Sequence, residues 1–129
     1  MRYLTFLLLT LSACTRDQAK IQANESAAVL DLRSLNTAQV QYYATKAKYA
    51  AQLSELGPSG AMLISSDLAN GTRNGYRFVL TGGDSGFQIV AAPEAPGTTG
   101  NRAFFTDQTL VLRAADNAEA AGPAAPELK

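Results

Sequence analysis

The sequence predicts an α+β fold, in which one long N-terminal helix packs on a roughly four-stranded antiparallel sheet. Residues 16–45 contain no Pro or Gly and are rich in Ala, Gln, Leu, Lys and Arg, a composition that favours a helix. Beyond residue 75, short segments alternate apolar and polar residues between Gly-, Pro- and Asn-rich turns, as half-buried strands do. One helix followed by several strands is the order of elements in α+β domains.

The predicted helix carries one apolar face that we expect to pack on the sheet. Its residues recur with the spacing i, i+3, i+4, i+7. They are Ala28, Leu32, Leu35, Gln39, Tyr42 and Tyr43, and Val29, Asn36, Val40 and Ala47 widen the stripe. Residues 16–26 are mostly polar apart from Ile21, so we expect this part of the helix to form a solvated stalk.

Period-two patterns and turn residues predict four strands. They are expected at residues 76–80, 87–91, 103–106 and 109–113. The residues predicted to face the helix and to be buried are Tyr76, Phe78, Ile89, Phe104, Leu110 and Leu112. Asp107-Gln108 is the predicted tight connection between the last two strands.

Shorter segments complete the predicted domain. Residues 50–56 predict a short second helix that ends at Gly57, and residues 64–68 predict one more helical turn. Residues 114–129 are rich in Ala and Pro and lack periodicity, which predicts a disordered tail. The globular domain is therefore expected to span residues 28–113.

The first thirteen residues have the pattern of an export signal. Arg2 gives a positive start, and an apolar run from Leu4 to Leu11 follows. As a helix this run rises only about 12 Å, whereas the hydrocarbon core of a bilayer is about 30 Å thick. Residues 1–13 are thus predicted to be a signal peptide rather than a membrane-spanning helix.

The segment that ends this signal, Leu11-Ser12-Ala13-Cys14, resembles a bacterial lipobox. The resemblance implies cleavage between Ala13 and Cys14, with the Cys14 sulfur carrying a lipid that anchors residues 14–27, the lipidated cysteine and its stalk, to the membrane. Thr15 stands where Asp favours inner-membrane retention, so the cell envelope is expected, with the outer membrane favoured. The alternative is an ordinary signal peptide that happens to end near a cysteine.

Composition restricts the chemistry that this chain could perform. The chain has 11 basic and 11 acidic residues, so its net charge of zero gives no reason to bind nucleic acid. It contains no His, which excludes Ser-His-Asp and Cys-His catalysis. Zinc sites usually include His ligands, so we do not expect one here. Cys14 is the single cysteine, so no intramolecular disulfide forms. We therefore expect no enzyme activity, no metal and no cofactor.

Five residues are candidates for an interaction surface: Tyr42, Tyr43, Tyr49, Arg102 and Asp107. The three tyrosines could form an aromatic patch for a sugar or peptide, although helical spacing is more typical of core residues. Arg102 ends a Gly-rich loop that could hold an anion, or that could simply position the third strand. Asp107 could donate an oxygen to calcium, or could form a turn.

Two further patterns have a structural and a functional interpretation. Residues 83–86, Gly-Asp-Ser-Gly, match the surroundings of a serine-protease nucleophile, but without His they predict only a hairpin turn. Asp84 and Asp116 could join Asp107 at a calcium ion, but their spacing is not that of a known calcium loop.

Three segments give the chain a resemblance to type IV pilin and type II secretion pseudopilin heads of the acidobacterial type. Residues 32–40 (LRSLNTAQV) are similar to the helix of these heads, and residues 71–78 (GTRNGYRF) to the entry of their first strand. Residues 96–102 (PGTTGNR) and 105–109 (FTDQT) are similar to their ending. The resemblance covers residues 28–113 and implies a helix on an antiparallel meander, with no cofactor.

The chain also departs from that family. A prepilin has a Gly before a long apolar helix and a Glu shortly after its cleavage site, whereas this chain has no Gly before Gly57. Cys14 and a polar segment stand in place of the apolar filament helix. We therefore expect a lipid-anchored, pilin-like surface or periplasmic interaction protein, with pilus or secretion proteins as candidate partners. A free-standing module that binds a peptide, a glycan or calcium is the alternative.

Overall fold

The computed structural model describes the backbone of residues 2–128 and the side chains of residues 16–128. The predicted signal peptide, its cleavage site and the Cys14 side chain lie outside the described side chains. Within the part of the chain that is described, no helix is both long and apolar enough to cross a membrane.

The long helix α1 spans Arg2–Lys46 and confirms the helix predicted over residues 16–45. Five of the six residues predicted for its apolar face are buried: Ala28, Leu32, Leu35, Gln39 and Tyr42. The sixth, Tyr43, is exposed, and so is Val40. Successive helical residues turn by about 100°, so these two side chains lie beyond the part of the helix surface that reaches the sheet.

The packed face of α1 begins earlier than predicted. Ile21 and Glu25 are buried, and the Asn24 side-chain amide donates a hydrogen bond to the Thr99 carbonyl at 3.0 Å. Ile21 and Glu25 are four residues apart and continue the core-facing side of the helix. Among the described residues of the expected stalk, only residues 16–20 are exposed without interruption.

The sheet has five antiparallel strands instead of the expected four, in the order β1-β2-β3-β4-β5. The strands are β1 (Thr72–Arg73), β2 (Tyr76–Gly82), β3 (Phe87–Pro93), β4 (Ala103–Asp107) and β5 (Arg113–Ala115). The α+β class is confirmed. Three of the predicted strands are confirmed too, because β2, β3 and β4 contain residues 76–80, 87–91 and 103–106, where the alternation of apolar residues predicted them. Each strand follows its neighbour in the sequence, so the sheet is a meander.

The two short outer strands were not predicted correctly. Strand β1 was missed because it has only two residues; Asn74 and Gly75, with φ of 51° and 77°, form the tight turn that pairs it with β2. The strand predicted at residues 109–113 is wrong. Leu110 has a φ of 67° and donates its N–H to the Asp107 carbonyl at 2.8 Å, so a turn occupies this position.

The core lies between α1 and one face of the sheet. Five of the six strand residues predicted to be buried are so: Tyr76, Phe78, Ile89, Phe104 and Leu112. Leu110 is exposed because of the turn. Two single-turn helices, α2 (Leu53–Leu56) and α3 (Ser66–Ala69), close the end of the core, where Leu56 and Leu68 are buried.

The expectation of a disordered tail after residue 113 is wrong for the described residues. The chain folds back along the edge of β5: Ala114 donates its N–H to the Pro126 carbonyl at 3.0 Å, and Leu128 donates to the Leu112 carbonyl at 2.8 Å. Ala125 is buried. Ala and Pro do not alternate, so the sequence carried no signal for this pairing. Main-chain hydrogen bonds make it, together with Arg113, whose Nη1 donates to the Ala125 carbonyl at 2.8 Å.

Candidate functional site

The candidate interaction residues lie in two separate regions of the fold. Tyr43 and its neighbours are at the C-terminal end of α1. Arg102 contacts Glu25, which lies on α1 much nearer to the N-terminal end of the described side chains. Glu25 and Tyr43 are eighteen positions apart on the helix, which is about 27 Å at 1.5 Å per residue. The structure therefore does not bring the aromatic candidates and Arg102 into one site.

The tyrosines form a short aromatic chain rather than an open patch. Tyr42 is buried in the core. The Tyr43 ring lies 4.8 Å from the Tyr49 ring, which in turn lies 4.9 Å from Phe87. These spacings are those of favourable aromatic pairs, so Tyr49 joins the helix end to β3 and only Tyr43 presents an exposed ring.

Asp107 forms the turn after β4. Its Oδ1 accepts the Thr109 backbone N–H at 3.0 Å, and its carbonyl accepts the N–H of Leu110. The turn interpretation of Asp107 is thus confirmed. Within the described residues, no group of three or more Cys, Asp and Glu side chains converges where a metal ion could bind.

The Gly-rich loop before Arg102 uses three of its backbone amides internally. Gly97 donates its N–H to the Gly100 carbonyl at 2.8 Å, and Thr98 and Thr99 both donate to the Ala95 carbonyl at 2.9 Å. Amides that are already bonded cannot also hold an anion. These bonds favour the structural role of the loop, and Asn24 on α1 fixes it through the Thr99 carbonyl.

Arg102 is held by a buried carboxylate that the sequence interpretation missed. Glu25 Oε1 accepts the Arg102 backbone N–H at 3.1 Å and its Nε–H at 3.4 Å. The guanidinium carbon lies 5.2 Å from the centre of the Phe104 ring, a cation–π arrangement. Glu25 was assigned to the solvated stalk, although its spacing from Ile21 placed it on the core-facing side of α1.

The hydroxyl of the buried Tyr76 also bonds to Arg102. It donates to the Arg102 carbonyl at 2.6 Å. Burial, and next the charge of Glu25, raise the pKa of Tyr76 above its ordinary value, so the phenol stays protonated and remains a donor. Helix, loop and sheet thus meet at one charged contact.

Two open cavities flank this contact along α1, and we call them together the α1 groove. The first, of about 410 Å³, is lined by Ser26, Val29, Leu30, Arg33 and Leu128 beside the Glu25–Arg102 pair. The second, of about 350 Å³, is lined by Gln18, Ile21, Gln22 and Asn101 beside the same pair. One end of the groove is thus apolar with two guanidinium groups, and the other carries side-chain amides.

A second ionic contact joins α1 to β1. Asp31 Oδ1 lies 3.2 Å from Arg73 Nη1, and Arg73 Nε lies 3.5 Å from Asp67 Oδ2. Asp31 Oδ2 is buried without a hydrogen-bond partner among the described residues. Burial raises the pKa of Asp31, and the charge of Arg73 only partly opposes this. No sequence pattern pointed to this contact, because it joins residues 42 positions apart.

No protein-family model matches the chain, and no curated protein matches it either. The likeness to pilin heads therefore depends on the three sequence segments and on the order of the helix and strands. The geometry adds the Glu25–Arg102 contact, the Asp31–Arg73 contact and the α1 groove. Neither contact brings two carboxylates together around one cleft. Glu25 and Asp31 are six residues apart on α1 and contact different arginines, Arg102 and Arg73.

Proposed function

We propose that this chain is a lipid-anchored, non-enzymatic, pilin-like domain that acts as a structural or interaction protein of the cell envelope. The lipid would be attached to Cys14, and pilus or secretion proteins would be its partners. Leu11-Ser12-Ala13-Cys14 supports the anchor, and the helix followed by an antiparallel meander supports the pilin-like head.

The observation that carries the proposal is the path of α1 from the anchor segment to the head. The helix continues without a break from the Cys14 region into the core, and Ile21 is the first buried side chain among residues 16–128. Seven residues of helix correspond to about 10 Å, so a lipid on Cys14 would hold the head close to the membrane surface. The exposed residues 16–20 would span the headgroup region.

The head folds around its own core, which supports a role outside the filament. The core between α1 and the sheet is closed by Leu32, Leu35, Tyr76 and Phe104, all fully buried. A filament subunit needs in addition a long apolar helix to pack with other subunits, and this chain has a cysteine and a polar segment there instead. The proposed function is therefore attachment to envelope machinery, not polymerisation.

The non-enzymatic part of the proposal is based on composition and on ion pairing. The chain has no His, and Glu25 and Asp31, the buried carboxylates among the described residues, are each paired with an arginine. They contact different arginines and do not face each other across one cleft, so they do not form the paired carboxylates of general acid–base catalysis. A ligand-binding lipoprotein on the same scaffold is the second candidate, and the α1 groove favours it.

Metabolic palmitate labelling with membrane fractionation tests the anchor. The wild type is compared with Cys14→Ala and with Thr15→Ala, a matched control that keeps the lipobox cysteine. We expect label and membrane retention in the wild type and in Thr15→Ala, and the loss of both in Cys14→Ala. An unlabelled, soluble wild type would contradict the anchor.

Cross-linking in intact cells, followed by identification of the linked proteins, tests the partners. Pilus or secretion components linked to the wild type, and no longer linked to Cys14→Ala, are the expected result. A wild-type protein that is lipidated yet linked to none of them would favour the second candidate.

A further inference from the structure

The apolar end of the α1 groove combines two guanidinium groups with aliphatic side chains, of which Leu30 is exposed. Arg102 uses its Nε–H on Glu25, and about half of its side chain remains exposed. Arg33 lines the same cavity and makes no ion pair with any described residue. Leu30 is 63% exposed, and Leu128 lies in the same wall.

The buried carboxylate between the two cavities restricts which anion fits. Glu25 is 7% exposed, and its Oε1 is committed to Arg102. Its negative charge repels a polyanion that would lie along the groove, such as a nucleic acid or a phosphate-rich headgroup. A single carboxylate next to an apolar group would place only one charge beside Arg33 and Arg102 and its apolar part on Leu30 and Leu128.

The amide end of the groove suits an extended main chain. Gln18, Gln22 and Asn101 each offer both a donor and an acceptor, which is the pairing that peptide N–H and C=O groups require. Ile21 provides an apolar surface between them. Both cavities are open to solvent and have volumes of about 410 and 350 Å³.

We propose that the α1 groove binds the C-terminal residues of an extended peptide that ends in an apolar side chain. The terminal carboxylate lies between the Arg33 and Arg102 guanidinium groups, and the last side chain packs on Leu30 and Leu128. The preceding residues cross the Glu25–Arg102 pair and reach the amides of the second cavity. The groove faces the same side of α1 whether or not Cys14 carries a lipid.

Binding of model peptides tests this proposal. The probe is acetyl-Gly-Gly-Leu with a free carboxylate, and its control is the same peptide with a C-terminal amide. Isotope-labelled full-length protein is titrated with each peptide, and amide chemical shifts are recorded. We expect the free acid to shift the signals of residues that line the groove and to bind at least about tenfold more tightly than the amide. Equal binding of the two peptides, or no binding of either, would overturn the proposal.

Variants at exposed positions separate binding from folding. Arg33→Gln should weaken binding of the free acid about tenfold, and Leu30→Glu should abolish it by placing a negative charge beside the carboxylate. Arg77→Gln, at an exposed arginine on β2, is the matched control and should bind as the wild type does. All three should keep the wild-type unfolding midpoint, because none of these side chains is buried. A normal affinity in Arg33→Gln would overturn the proposal.

Competitors and the anchor variant complete the test. Inorganic phosphate, or vesicles of phosphatidylglycerol, that displaced the peptide from the groove at equal concentration would show a general anion or lipid site, and would overturn the peptide proposal. Full-length Cys14→Ala should bind the peptide as the wild type in detergent does. Failure of lipid labelling and failure of peptide binding are therefore separate results.

Discussion

The side-chain amide of Gln39 forms both hydrogen bonds of the Ala50 backbone. Its Nε2–H donates to the Ala50 carbonyl at 3.0 Å, and its Oε1 accepts the Ala50 N–H at 2.8 Å. Both residues are fully buried. A side chain on α1 thus takes the place of a neighbouring strand and attaches the segment before α2 to the core.

Gln39→Leu should destabilise the domain by about 3 kcal/mol. Leucine has a similar size, but it leaves a buried N–H and a buried C=O without partners, and each costs about 1–3 kcal/mol. Urea unfolding followed by circular dichroism measures the change. Gln41→Leu, at an exposed position two residues later, is the control and should change the free energy of unfolding by less than about 0.5 kcal/mol. Equal stabilities of the two variants would refute this role of Gln39.

Gly100→Ala should destabilise the domain at the contact between the Tyr76 hydroxyl and the Arg102 carbonyl. A Cβ at this position would lie 2.2 Å from the Tyr76 hydroxyl oxygen, so the buried ring must move and its bond to the Arg102 carbonyl is lost. Overpacking of this kind costs about 1–3 kcal/mol. Thermal unfolding measures it, with Gly83→Ala as the control, because a Cβ at Gly83 meets no atom within 4 Å. A Gly100→Ala protein as stable as the Gly83→Ala protein would contradict the prediction.

How much of this fold the sequence predicts depends on the length of each pattern. The stripe from Ala28 to Tyr42 covers four helical turns, so its repeat identified the buried face. Strands β2 and β3 have seven residues each, enough for three inward-facing positions. Strands β1 and β5, with two and three residues, are too short for a period-two pattern to be recognised.

The charged contacts were harder to predict than the apolar ones. Glu25 lies on the core-facing side of α1, yet a glutamate there is normally taken as solvated, and its partner Arg102 is 77 residues away. The Asp31–Arg73 contact has the same character. Hydrophobic periodicity says which side of a helix is buried, but it does not say which distant loop supplies the counter-charge. The α1 groove depends on the buried side of the helix and also on the distant loop that supplies Arg102, so it could not be predicted.

The difference in stability between the wild type and Asp31→Asn should vary with pH in the opposite direction to the difference between the wild type and Asp67→Asn. Burial raises the pKa of Asp31 in the folded state, so the folded protein holds this proton more tightly than the unfolded chain, and ionisation of Asp31 destabilises the fold. As the pH rises from the ordinary Asp pKa of 3.8 through the raised value, the wild type should lose stability relative to Asp31→Asn. Urea unfolding at a series of pH values measures the difference.

Asp67, which contacts the same Arg73, gives a comparison of opposite sign for this pH series. The Ser65 hydroxyl bonds to its carboxylate and lowers its pKa, so its contribution to stability is present above pH 3.8 and is lost as the pH falls through the lowered value. Relative to the wild type, Asp67→Asn should therefore be less stable at neutral pH, and this deficit should shrink in acid. Parallel curves for the two variants would show that the burial of Asp31 does not control its ionisation.

Removal of residues 124–129 should expose the edge of β5. In the full chain the Ala114 N–H donates to the Pro126 carbonyl, and the Leu112 carbonyl accepts the N–H of Leu128. Hydrogen exchange measured by NMR should therefore find the Ala114 amide protected in the full chain and at least about tenfold faster in the truncated one. Amides of β3 that pair with β4, such as Val90 opposite Phe105, should keep their protection and serve as the control. An Ala114 amide that exchanges at the rate of an unstructured peptide in the full chain would show that the tail is disordered, as its composition alone suggested.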